Sequence, residues 1–149
     1  MTDAWPGTVA AAAFDALDVA TLYALLRLRV DVFVVEQECP YPELDGRDDE
    51  PGTRHLWLDG RDGAPCAYLR ILRDEDGTTR IGRVAVARPD RGKGLAARLM
   101  DAALSEIGDA PCEIEAQTYV AEFYARWGFA VTGPPFDLDG IPHVPMRRP

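Results

Sequence analysis

Apolar positions along this 149-residue chain recur in two periods, and each change of period marks a boundary between elements. Leu22, Leu25, Leu26 and Phe33, together with the aliphatic stem of Arg29, follow helical spacing behind Asp18, which stands where an N-cap belongs. This predicts a helix from Asp18 to about Val35, after a short first strand at Thr8 to Phe14. Cys39 to Thr53 carries prolines at 40, 42 and 51 and glycines at 46 and 52, and reads as a loop. His55 to Leu58 and Cys66 to Leu72 flank Asp59-Gly60-Arg61-Asp62-Gly63, the pattern of two antiparallel strands around a hairpin. Arg80 to Ala87 reads as a third, central strand, with Val84 and Val86 on one face. Leu95, Ala96, Leu99, Met100, Ala103, Leu104 and Ile107 then resume helical spacing, with Gly108 placed as the stop. A strand at Cys112 to Gln117 follows, then a helix near Val120 to Trp127 ended by Gly128, and a final extended pair at Phe129 to Val131 and Ile141 to Arg147.

Hairpin-paired strands followed by a strand–helix–strand crossover imply a mixed sheet with helices on both faces, an α/β class that another convention would call α+β. Without internal repeats or a low-complexity linker, residues 1–149 read as one domain, and 47% apolar residues suffice for one core. Three sparse cysteines, Cys39, Cys66 and Cys112, suggest neither a disulfide framework nor a zinc cage and fit a reducing cytoplasm. The start, Met1 to Pro6, has neither a basic nor an apolar leader region, and no apolar run approaches the length of a membrane span. A net charge of -9 argues against a nucleic-acid partner. Local charge differs from the total: Arg80, Arg83, Arg88, Arg91, Lys93 and Arg98 stand against Asp90, whereas Glu36 to Glu50 is rich in carboxylates against Arg47.

The basic stretch contains the strongest chemical signal, Arg91-Gly92-Lys93-Gly94-Leu95-Ala96, lying between a predicted strand and a predicted helix. Glycines allow a sharp turn and close approach of a ligand, and a helix start presents unpaired N–H groups at its positive end. With Arg91 and Lys93 beside it, such a turn suits a pyrophosphate. No Ser or Thr follows Lys93, which excludes the G-x-x-x-x-G-K-[ST] phosphate loop, and the turn comes several strands too late for the dinucleotide fingerprint.

Val84-Ala85-Val86, four residues, and then R-x-x-G-x-A at Arg91 to Ala96 resemble the signature of the GNAT acetyltransferase superfamily. Phe123-Tyr124-Ala125-Arg126-Trp127-Gly128-Phe129 resembles that family's F-Y-x-x-x-G-F element. Phe33 to Tyr41, Asp45 to Asp48, His55, Gln117 and Asp139 to His143 resemble the ElaA-like branch, so the likeness runs from the first helix onward.

The resemblance implies a splayed sheet holding acetyl-CoA as co-substrate between the strands Arg80 to Ala87 and Cys112 to Gln117, against Val84, Ala85, Val86, Gln117 and the turn Arg91 to Ala96. It implies an N-acetyltransferase in which a primary amine of a small molecule, peptide or protein attacks directly in a ternary complex, with Tyr124 as the general acid for the leaving thiolate. Relatives' fourth-strand glutamate has no counterpart among Arg83 to Val86, which leaves Glu36, Glu115, His55 and His143 as candidate bases, beside a water-mediated route. Tyr41, Asp45 and Asp48 would wall an acceptor pocket suited to a cation. No metal is expected, and a homodimer is compatible with the chain. The missing glutamate also motivates an alternative, a non-catalytic acyl-CoA-binding module, and a third reading is an interaction domain that binds no nucleotide.

Overall fold

In the computed structural model, which describes residues 5–149, the Asp18 side chain accepts a hydrogen bond from the Thr21 amide at 2.7 Å and caps the first helix. This helix, α1 (Val19–Arg29), runs on as a π-helical segment, Val30–Glu36, so the helical run ends one residue past the expected Val35. Its buried positions are Leu25, Leu28, Arg29 and Val32; Leu25 and Arg29 belong to the predicted stripe, whereas Leu22, Leu26 and Phe33 are half-buried. Arg29 buries its guanidinium as well as the stem, because carboxylates of the following loop meet it there.

The strands are β1 (Ala10–Ala13), β2 (Arg54–Asp59), β3 (Pro65–Arg73), β4 (Thr79–Val86), β5 (Cys112–Gln117), β6 (Ala130–Val131), β7 (Phe136–Leu138) and β8 (Ile141–Arg148). They form one mixed sheet in the order β1-β2-β3-β4-β5-β8-β6, with β7 on β8. β1 is shorter than the expected Thr8 to Phe14, since Phe14–Ala16 turns into a 3-10 coil. β7 was not anticipated, although Asp139-Gly140 between Leu138 and Ile141 is the sequence of a two-residue hairpin, and both residues have positive φ (54° and 79°).

The remaining helices are α2 (Leu95–Ile107) and α3 (Ala121–Ala125). Gly108, at φ 72°, ends α2 where the sequence places its stop. α2 buries Leu95, Leu99, Met100 and Ala103 against Leu56, Leu69, Ile81 and Ile114 on one face of the sheet. α1 packs Leu25, Leu28 and Val32 on Tyr68 and Ala85 of the other face. Helices therefore cover both faces, as the strand–helix–strand pattern requires.

β4 and β5 are parallel neighbours, but only Thr79 to Ile81 pairs with Cys112 to Ile114. Beyond that point the strands part, and the sheet is splayed at its centre. β4 also carries a bulge: Tyr68 faces Ala85 and Arg70 faces Gly82, so Arg83 and Val84 together oppose Leu69. Arg83 takes φ 53° there, in the left-handed region. Among the described residues, no helix is long and apolar enough to cross a membrane.

Candidate functional site

The parting of β4 and β5 opens a cleft of about 890 Å³ that reaches both faces of the sheet. Its walls follow from backbone alternation. The Ala87 amide donates to the Cys66 carbonyl at 2.7 Å, so Ala85 and Ala87 point their polar groups at β3, while Val84 and Val86 point theirs into the gap. Within the gap the Val86 carbonyl accepts a hydrogen bond from Arg91 Nε at 2.9 Å. Polar backbone at the edge of a gap needs partners, which an extended ligand bearing amides would supply.

At one mouth lies the glycine turn. Gly92 (φ 78°) and Gly94 (φ 77°) both occupy the left-handed region, and Gly94 is the N-cap of α2, with no side chain capping the helix. The first amides of a 13-residue helix thus face outward uncapped. The two cations of the turn are engaged elsewhere. Arg91 binds the Glu36 carboxylate through both terminal nitrogens, at 2.6 and 2.8 Å, and Lys93 lies 3.7 Å from Asp90 and 5.2 Å from the centre of the Trp5 ring. The Arg91 hydrogen bonds hold the Glu36 carboxyl below the usual carboxylate range.

On the α2 side of the gap, α3 presents Tyr124, which is 7% exposed and touches the rings of Phe123 and Phe129 edge-on. Burial raises its phenol above the ordinary value. Its hydroxyl has no hydrogen-bond partner among the described residues, and it is not sealed from solvent, since Arg70 Nε is the one sealed and unpartnered side-chain atom among them. Buried tyrosine hydroxyls ordinarily find a partner, so this one is free to serve a ligand in the cleft.

On the α1 side, the loop from Cys39 to Thr53 closes over the sheet through buried ion pairs. Arg29 donates to Glu43 at 2.9 Å and to Asp48 at 2.6 Å; Arg70 donates to Asp45 and Asp48; Arg83, turned out by the bulge, donates to Glu43 at 2.8 Å. Burial works against these carboxylates, yet the arginine hydrogen bonds prevail and hold Asp45 and Asp48 below their ordinary range. His55 completes the clamp. Its Nε2–H donates to the Asp48 carbonyl at 3.0 Å, which leaves Nδ1 to accept the Tyr68 hydroxyl at 2.6 Å.

The structure therefore divides the sequence-selected residues. Glu36, Tyr41, Asp45, Val84, Ala85, Val86, Arg91, Ala96, Glu115, Gln117, Tyr124 and His143 line the cleft. Gly92, Lys93, Gly94 and Leu95 stand beside it at the mouth, while His55 and Asp48 lie behind its wall in the loop clamp. Sequence reasoning missed Arg70 and Arg83, whose alternation inside strands gave no sign that they would tie down a loop more than 20 residues away.

Comparison with known proteins agrees with this geometry. The Acetyltransferase (GNAT) domain family matches residues 29–148. A UPF0039 protein of Mycobacterium tuberculosis is 54% identical over 136 residues, covering 89% of this chain and 87% of that protein. The crystal structure of an acyl-CoA N-acyltransferase from Pseudomonas aeruginosa superposes with a TM-score of 0.89 at 40% identity, over 95% of this chain and 99% of that one. Escherichia coli ElaA superposes with a TM-score of 0.88 at 37% identity, over 95% and 98%.

Proposed function

Since the chain belongs to the GNAT acetyltransferase family, and to its ElaA-like branch, we propose that this acyl-CoA-dependent acyltransferase moves acetyl from acetyl-CoA to a primary amine by direct attack in a ternary complex. The observation that carries the reading is the parting of β4 and β5 after Ile81 and Ile114, which leaves the polar backbone of Val84 and Val86 facing an open gap. A co-substrate with pantetheine amides suits those groups, and its pyrophosphate suits the uncapped start of α2 with Gly92 and Gly94 beneath it. A Cβ at either glycine would meet no atom within 4 Å, so the space above the turn is open to a ligand.

Tyr124 then has a task in keeping with its unpartnered hydroxyl. It donates its proton to the thiolate leaving group, and burial keeps the phenol protonated until that moment. Val84 and Val86 amides provide donors for the carbonyl oxygen as negative charge develops on it. Lys93 adds positive charge at the turn. Arg91, held by Glu36 and by the Val86 carbonyl, positions the turn against the end of β4. Tyr41, Asp45 and Glu115 wall the acceptor side. A cytoplasmic protein supplied with acetyl-CoA fits this chemistry.

Thiol release from acetyl-CoA across a panel of amines and peptides tests the reading. Turnover with at least one amine is expected. Binding of acetyl-CoA without turnover on any of them would replace this reading with a non-catalytic acyl-CoA-binding module, and no binding at all would overturn both.

A further inference from the structure

An alkyl ammonium must lose a proton before its nitrogen can attack, and the sequence offers Glu36, Glu115, His55 and His143 as candidates to take it. Their surroundings separate them. The Glu36 carboxylate is bound at both oxygens by Arg91. Both nitrogens of His55 are engaged, behind the cleft wall. Glu115 is exposed on the acceptor side and paired with Arg80 at 3.7 Å.

His143 differs from all three. Its Nδ1 lies 2.7 Å from the Ile141 carbonyl, an acceptor, so Nδ1 carries the hydrogen and the neutral ring has its lone pair on Nε2. Nε2 has no protein partner among the described residues and is not sealed from solvent, although the residue is only 8% exposed. Phe136, its cross-strand partner on β7, stacks on the ring at 6.1 Å and holds its plane. On the other flank His143 pairs with Gln117 of β5, the third residue beyond the last β4–β5 rung at Ile114; Val84 is the third beyond Ile81. Cross-strand partners share a face, which puts His143 beside Gln117 in the widening gap, opposite the stretch of β4 that carries the bulge.

We infer that His143 is the general base, its Nε2 taking the proton from the acceptor ammonium; the inference rests on the acyl-transfer reading above. The protons balance. R–NH3⁺ gives one proton to Nε2, and the imidazolium returns it to solvent through the open cleft. The freed amine forms the C–N bond, and the C–S bond breaks. Tyr124 protonates the sulfur, and the second proton lost by nitrogen restores the phenol. The sum is amide, free thiol and one proton to solvent. Phe136 and Gln117 are positioning residues for the ring. Glu115 and Asp139 are the charged side chains of β5 and of the β7–β8 turn that line the cleft with it.

The test compares the best-used alkyl amine with its β,β-difluorinated analogue, which has nearly the same shape but a far more acidic ammonium. His143→Asn retains an amide donor for the Ile141 carbonyl and has no basic nitrogen. With saturating acetyl-CoA at neutral pH, its turnover should fall about 100-fold or more on the alkyl amine and less than about 5-fold on the fluorinated one, with an unchanged dissociation constant for acetyl-CoA. Added imidazole should restore turnover of the alkyl amine by His143→Ala. Equal losses on both amines, or no loss on either, would overturn the assignment while leaving acyl transfer intact. A wild-type chain that binds acetyl-CoA but acetylates no amine overturns acyl transfer and this assignment together.

Discussion

Individual side chains in the cleft differ in what they can do because of what they touch. Among the described residues Tyr124 has no hydrogen-bond partner for its hydroxyl, whereas Glu36 has two bonds to Arg91, so removing their polar groups should have unlike effects. For Tyr124→Phe, steady-state kinetics should show turnover reduced by about two to four orders of magnitude, with the acetyl-CoA dissociation constant nearly unchanged, because a general acid acts on the leaving group and not on ground-state binding. Gly94→Val should act on binding instead. At φ 77° a side chain adds about 1–2 kcal/mol of backbone strain, and the new methyls fill the space over the helix start. Calorimetric titration should find acetyl-CoA bound at least tenfold more weakly. The Gly94 turn and a helix carrying Tyr124 were both legible in the sequence, since each needs only its own neighbours. The idle Nε2 of His143 was not, because the lone pair's position is set by where the Ile141 carbonyl falls in a folded hairpin.

At the scale of elements, the Cys39 to Thr53 loop is the part of the fold whose stability is electrostatic. Arg29 and Arg70, 1% and 3% exposed, hold Glu43, Asp45 and Asp48 against α1 and β3. Arg29→Leu would leave two carboxylates buried with fewer donors, and chemical denaturation should show a loss on the order of 3 kcal/mol. Composition correctly indicated a loop here, and prolines and glycines account for that. Its acidity suggested a wall for a cationic acceptor, but Asp48 turns inward to Arg29 and Arg70. Charge density along a chain is blind to which cations the fold will bring near. The same limit holds for α1: its helical period was visible, whereas the burial of the Arg29 charge depends on carboxylates of the loop. Helix α2 needed no such help, since its buried positions are all apolar and its glycine stop is local.

For the whole molecule, two linkages give expectations that calorimetry can check. Burial lowers the His55 pKa, so below about pH 6.5 the unfolded chain takes up a proton that the native state resists. Stability should therefore begin to fall as pH drops through that range, by up to about 1.4 kcal/mol per pH unit. A second loss should follow below about pH 4: Asp45, Asp48 and Asp74 are held below their unfolded values, their stabilisation is complete above those values, and it vanishes as they protonate. Acetyl-CoA at 100 times its dissociation constant should add about 2.7 kcal/mol, raising the melting temperature by roughly 5–10 °C. Sequence by itself determined the order of strands and helices apart from β7, the mixed α/β class and the glycine turn ahead of α2, because periodicity, caps and turns act over a few residues. Only the tertiary structure decided where β4 and β5 part, that Arg83 is turned out by a bulge, which arginines clamp the acidic loop, and which histidine faces the cleft with a free nitrogen. Those outcomes depend on register and on contacts between residues far apart in the chain, and no local pattern carries that information.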